Sequence, residues 1–122
     1  MNETRTTTAR LVLGDDDILR IYPLENAVIT LEDAKNHLAA AERLTEGKKV
    51  LVLSYSNVNY KVTREAQKYS ASQLHTRIAT AVITSKPYIK WTAFIYSFLM
   101  KPKSPIKVFD SEEKAISWLK SF

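Results

Sequence analysis

Four apolar residues in succession, Val50-Leu51-Val52-Leu53, follow directly on a helical stripe. A run that is apolar at every position has no solvent face. It reads as a strand covered on both sides, Lys49 to Ser54, central in its sheet. The stripe before it is Leu31, Ala34, Leu38, Ala41 and Leu44, one face of a helix of about 14 residues. Thr30 is the expected N-cap of that helix, with Glu32 and Asp33 suited to its positive end, and Gly47 its stop. A buried strand joined to its neighbours through helices predicts a mostly parallel sheet with helices packed on it.

The rest of the chain keeps the alternation. Thr6 to Leu13 and Ile18 to Tyr22 are strand-like runs around Gly14-Asp15-Asp16-Asp17, which predicts a hairpin. Pro23 closes the second strand, because it has no amide for the ladder. Ala27-Val28-Ile29 is a short extended piece. Ser54 to Val62 is polar and irregular. Thr63 caps a weakly amphipathic helix to about Leu74, and Arg77 to Thr84 is a second buried strand. Pro87 starts a helix to about Met100, since its missing amide costs nothing there. Lys101 to Pro105 ends it. Ile106 to Phe109 is the last strand. Asp110 and Glu113 predict a capping-box start for a final helix that buries Ala115, Ile116, Trp118 and Leu119. The expectation is one α/β domain over 1–122, residues 1–5 flexible. It has a mixed, mostly parallel sheet, an N-terminal antiparallel hairpin and about four covering helices.

Composition narrows the function. At 122 residues the chain buries roughly two-thirds of its unfolded surface and needs no staple. It holds no cysteine, which removes thiol catalysis, thiolate metal sites and iron–sulfur clusters. The longest nearly apolar stretch, Tyr88 to Met100, is 13 residues and is interrupted by Lys90, Thr92 and Ser97. A membrane span needs about 20 residues. The first eight residues lack the apolar core of a secretory signal, so a cytoplasmic chain is expected. Net charge is +5, unevenly spread: 7 Lys and Arg against 9 Asp and Glu up to residue 60, then 11 against 4. A basic half can attract nucleic acid, but no run of five basic residues and no reader motif accompanies it, so nucleic acid is not the expected partner.

Catalytic groups are sparse. His37 falls mid-helix and His75 at a helix end, neither beside an evident serine or carboxylate partner. No pair has metal-ligand spacing, and Asp15-Asp16-Asp17 lacks the spaced ligands and distal Glu of a calcium loop. Gly14 and Gly47 are the sole glycines, too few for a phosphate-cradling loop. No enzyme, no catalytic residue, no metal and no cofactor are expected.

Two places remain. In an open α/β sheet, ligands sit beyond the carboxyl ends of the strands. Ser54, Tyr55, Ser56, Asn57, Asn59 and Tyr60 place hydroxyls, amides and rings there. Thr63, Arg64 and the first amides of the next helix are suited to an anion. The ordinary alternative is a polar loop with a helix cap. The second place is the helix 87–100, apolar nearly all round. Phe94, Phe98, Trp91, Ile95, Tyr88 and Leu99 fill one arc; Ile89, Ala93, Tyr96 and Met100 fill much of another. One arc meets the sheet and the other needs a further cover. Ile89, Trp91, Tyr96 and Met100 are therefore the candidate apolar interface, toward a neighbouring helix, a second copy, another protein or a lipid.

Several strings are familiar. They are Asp17-Ile18-Leu19-Arg20-Ile21, Ile29-Thr30-Leu31-Glu32-Asp33-Ala34, Val50-Leu51-Val52-Leu53-Ser54 and Val62-Thr63-Arg64-Glu65-Ala66. The closing Val108-Phe109, Glu112-Glu113-Lys114-Ala115 and Trp118-Leu119 are the most distinctive. In these the chain resembles SpoIIAA-like proteins of the STAS/Sec14-type group, including small uncharacterised bacterial members, from about Arg10 to the end. The resemblance implies a STAS-like fold and a non-enzymatic module that binds proteins or senses ligands. The phosphorylatable serine of the anti-sigma-antagonist branch sits in an Asp-Ser-Ser-Gly-type setting. Here Ser54-Tyr55-Ser56-Asn57 has neither the Asp-Ser pair nor the glycine, so no residue inherits that role.

The functional expectation is a cytoplasmic STAS-like binding or regulatory module acting through protein contact, with a homodimer among its possible forms. The alternative is a carrier of a small molecule or lipid in an apolar pocket beside helix 87–100.

Overall fold

The computed structural model describes residues 2–85 and 104–122. Its strands are β1 (Glu3–Arg5), β2 (Ala9–Leu13), β3 (Ile18–Pro23), β4 (Val28–Ile29), β5 (Val50–Tyr55), β6 (Lys61–Val62), β7 (Arg77–Ile83) and β8 (Ile106–Phe109). The α-helices among the described residues are α1 (Leu31–Thr45), α2 (Arg64–Ser72) and α3 (Glu112–Leu119), with a 3₁₀ turn at Leu74–Thr76. Six strands form one sheet in the order β1-β2-β3-β5-β7-β8. β1, β2 and β3 pair antiparallel; β3, β5, β7 and β8 pair parallel. This is the expected mixed sheet with its N-terminal hairpin.

The hairpin turn forms around Gly14 and the aspartates. The Asp17 amide donates to the Gly14 carbonyl at 3.0 Å, and Asp17 takes φ 63°, a left-handed value that Asp tolerates better than most residues. Asp16 grips Arg20 through two hydrogen bonds of 2.9 and 3.0 Å. A Cβ on Gly14 would collide with the Arg20 guanidinium, so the smallest residue stands where that side chain folds back.

Burial alternates along the strands with period two. Ala9, Leu11, Leu19 and Val52 face α1, where Ala40 is buried and Ala41 and Leu44 pack against them. Ile18, Leu53, Ala79, Ala81 and Ile83 face α3 and its Ala115 and Leu119. The largest fully buried of these side chains (Leu11, Ile18, Leu19, Leu53 and Leu119) are at most 2% exposed. Burying one such side chain stabilises by roughly 1.5–3 kcal/mol.

Thr30 caps α1 as expected. Its Oγ1 accepts from the Asp33 amide at 3.3 Å, and Asp33 Oδ2 accepts from the Thr30 amide at 2.9 Å, which is a reciprocal capping box. At the far end Glu46 (φ 56°) and Gly47 (φ 75°) both turn left-handed, so the helix ends at Thr45 with Glu46, not the glycine, as its cap.

Several expectations are corrected. Residues 3–5 form β1 instead of a flexible arm, in register Glu3↔Val12, with Arg10 Nε donating to Glu3 Oε1 at 2.8 Å. The stretch 54–62 is not irregular throughout: Lys61–Val62 pairs in parallel with Val28–Ile29 as a separate two-stranded sheet. α2 ends at Ser72, and the 3₁₀ turn carries Leu74 into the interior. The cap of α3 is Ser111, not Asp110. Ser111 Oγ accepts from the Lys114 amide at 3.2 Å, because it stands three residues before that free amide, while Asp110 reaches the Lys114 ammonium at 3.6 Å. Three α-helices are described where about four were expected. The one predicted over 87–100, with Ile89, Trp91, Tyr96 and Met100, lies outside the described residues.

Candidate functional site

The loop after β5 is tied to its surroundings. Ser56 is buried; its hydroxyl meets Tyr60 Oη at 2.9 Å and its amide donates to the Ile83 carbonyl at 2.8 Å. Asn57 Oδ1 accepts from the Ser85 amide at 2.9 Å. The Asn59 amide donates to Glu25 Oε2 at 3.3 Å, and its carbonyl accepts from Asn26 at 2.6 Å. Thr63 caps α2 by accepting from the Ala66 amide at 3.2 Å, which occupies a group the sequence offered to an anion. Arg64 is exposed at the first turn of α2.

The predicted site residues therefore divide. Ser56 and Tyr60 bond to each other. Ser54 and Tyr60 line a cavity on the α1 and α2 side of the sheet. Tyr55, next to Ser54 on β5, points to the opposite side, because adjacent strand residues alternate. Asn57, Asn59, Thr63 and Arg64 do not join either group.

The cavity holds about 220 Å³ between α1, α2 and the sheet. Its apolar wall includes Leu19, Ile21, Val52, Leu38 and Ala41. Two polar residues on it were not among the predicted site residues. His37 Nε2 lies 2.7 Å from Thr8 Oγ1, a partner 29 residues away that spacing cannot reveal. Burial holds the His37 imidazole below its ordinary range, against the opposing pull of Asp33. Arg77, half-buried at the start of β7, donates from its guanidinium to Thr80 Oγ1 at 3.3 Å. Burial pushes it down to about 10. His75, the other histidine, places Nδ1 at 3.1 Å from the Ser72 carbonyl oxygen.

On the other face of the sheet the tyrosines of β3 and β5 meet. Tyr22 and Tyr55 stack with ring centroids 4.3 Å apart and planes 11° from parallel. The Arg10 guanidinium sits 4.7 Å above the Tyr22 ring, and Arg20 lies beside Tyr55. Glu3 anchors Arg10, and Asp16 anchors Arg20. The Asp16 carboxyl is held down to about 2, chiefly by its hydrogen bonds from Arg20. Burial first, then the bond with Tyr22, raises the Tyr55 phenol above its ordinary range. All four side chains of this ladder are half-buried, and α3 packs farther along, over β5, β7 and β8. The alternating run Ile18 to Tyr22 signalled two faces, but nothing local signalled that Tyr22 would meet Tyr55.

Among the described residues, no three His, Asp or Glu side chains gather at a metal-sized site, and no helix is long and apolar enough to cross a membrane.

The fold is SpoIIAA-like. It matches the crystal structure of an uncharacterised DUF3478-family protein from Shewanella loihica PV-4, described as having a SpoIIAA-like fold. The TM-score is 0.66 and the identity 14%, over 95% of this chain and 98% of that one. The chain belongs to the family described as Domain of unknown function (DUF7793), whose model matches residues 12–122. A protein of unknown function from Arthrobacter sp. FB24 shares 22% identity over 92% of this chain and 99% of that one, with a TM-score of 0.32. A search of curated proteins gives no match.

Proposed function

We propose that this chain is a non-enzymatic, STAS-like regulatory module that acts by protein contact, and that its contact surface is the ladder Arg10–Tyr22–Tyr55–Arg20. Tyrosine and arginine are the residue types that most often dominate interface energetics. Here stacking and ion pairs hold them in place before any partner arrives. Such preorganisation lowers the entropy cost of association. The observation that carries the reading is the guanidinium–ring–ring–guanidinium row, held half-buried on a sheet face. The partner is another protein or a second copy of this chain.

The test has two arms. Size-exclusion chromatography with light scattering measures self-association of the wild type and of a Tyr22→Ser/Tyr55→Ser variant. Affinity capture from the native cytosol, followed by rebinding with the purified partner, measures association with another protein. The proposal expects a complex in one arm that the double variant loses at least about tenfold, the order expected when a central aromatic anchor is removed. Binding that ignores these tyrosines would overturn it, and so would a turnover activity abolished by one polar substitution.

A further inference from the structure

A cation stands on the wall of the cavity on the opposite face without a carboxylate. Arg77 makes one hydrogen bond to a neutral hydroxyl, and among the described residues no Asp or Glu lies within ion-pair distance of it. Every other described arginine that is half-buried, Arg10 and Arg20, has an acidic partner. Removing a guanidinium from water with no counter-ion is costly, and the downward push on Arg77 is that cost expressed in its protonation. Polar neighbours on the same wall include Ser54, Tyr60, Gln73, Thr76 and His37; Glu42 and Lys48 line it from exposed positions near the end of α1, with opposite charges. Among the described arginines that are half-buried, Arg77 is therefore the one that no Asp or Glu pairs.

Size selects the ligand further. Ligand pockets for larger molecules run from about 300 to 1,000 Å³. An apolar cavity of about 150 Å³ admits benzene. At about 220 Å³ this one has room for a ring and a small head group, and none for a long acyl chain.

We infer that the cavity between α1, α2 and the sheet binds a small monocarboxylate with an apolar body of about one ring, the carboxylate pairing with Arg77 and the body lying on Leu19, Leu38, Ala41 and Val52. The site is separate from the tyrosine ladder, which occupies the other side of the same strands, so either can fail alone.

The experiment is an amide NMR titration of the full chain with phenylacetate and with phenylacetamide, its neutral counterpart of the same shape. Phenylacetate is expected to give saturating shifts at Val52, Thr76 and Arg77, and to bind at least about tenfold tighter than the amide, as a charge-assisted pair requires. Arg77→Met should remove that preference and leave the weak binding of the amide; Arg77→Lys should keep part of it. Ala41→Phe, which leaves Arg77 intact and fills the cavity, should block both compounds. The absence of saturating shifts in the wild type would overturn the inference, as would an undiminished preference for phenylacetate in Arg77→Met. Binding that persists in Ala41→Phe would overturn it too, and this holds even where Arg77→Met does not fold.

Discussion

The phenol rings of Tyr22 and Tyr55 lie 4.3 Å apart on neighbouring parallel strands, where Ile21 is in register with Ser54. The stack therefore joins the penultimate residue of β3 to the last residue of β5 on the side away from the cavity. A double-mutant cycle with Tyr22→Ala and Tyr55→Ala should give a coupling of about 0.5–1.5 kcal/mol in urea denaturation. A coupling near zero would show that the rings are adjacent without supporting each other.

Asp16 links stability to acid. Its folded value, about 2, lies below the ordinary 3.8, so the stabilisation is complete above pH 4 and fades as pH falls toward 2. The pair is partly solvated, which limits it to roughly 1 kcal/mol or less. Asp16→Asn should be less stable than the wild type at pH 7 by that amount. The difference should close between pH 4 and pH 2 in denaturation midpoints.

His37 gives a second acid-sensitive window. Its folded value lies below 6.5, so the neutral ring is favoured and stability is lost as pH drops through and below 6.5. A proton titration of the His37 ring by NMR should give a midpoint under 6.5. His37→Gln should flatten the fall in stability between pH 7 and pH 5. An unchanged slope would mean that other groups set it.

Gly14→Ala should cost roughly 1–2 kcal/mol, by pushing the Arg20 guanidinium off the position it shares with Asp16. In an Arg20→Ala background the same change should cost less, because the guanidinium is gone and only the Asp16 carboxylate is left to move aside. Equal costs in the two backgrounds, measured by urea denaturation, would place the strain at Asp16 or in the backbone and not at Arg20.

Ser111→Ala should destabilise by about 0.5–2 kcal/mol, the usual cost of a lost N-cap. Asp110→Ala should cost less than about 0.5 kcal/mol, since its ion pair with Lys114 is exposed. Thermal melts of the two variants would expose the opposite order if Asp110 were the true cap.

Features made by neighbours in sequence were legible in advance. Thr30 and Thr63 announce their helices because a cap acts within three residues. Gly14 to Asp17 announce a turn for the same reason. Val50 to Leu53 announce an interior strand because no residue among them tolerates water. Features made by distant residues were hidden. Glu3 finds Arg10 across a strand pair in a Thr-rich stretch with no apolar period, so β1 read as an arm. The Thr8–His37 contact spans 29 residues, and Tyr22 reaches Tyr55 only after α1 has brought β5 beside β3. The polar loop was found, but within it only Ser56 and Tyr60 bond each other, while Asn57 holds Ser85 and Tyr55 stacks on Tyr22. Arg77 looked like any strand-flanking cation until the cavity beside it appeared.

The six-stranded sheet has short, charged rims. Its outermost strands are β1, with 3 residues including Glu3 and Arg5, and β8, with 4 residues including the exposed Lys107. Another chain adding itself to either rim would gain few backbone hydrogen bonds and would have to accommodate those charges. Growth of the sheet from one molecule into the next is thus disfavoured.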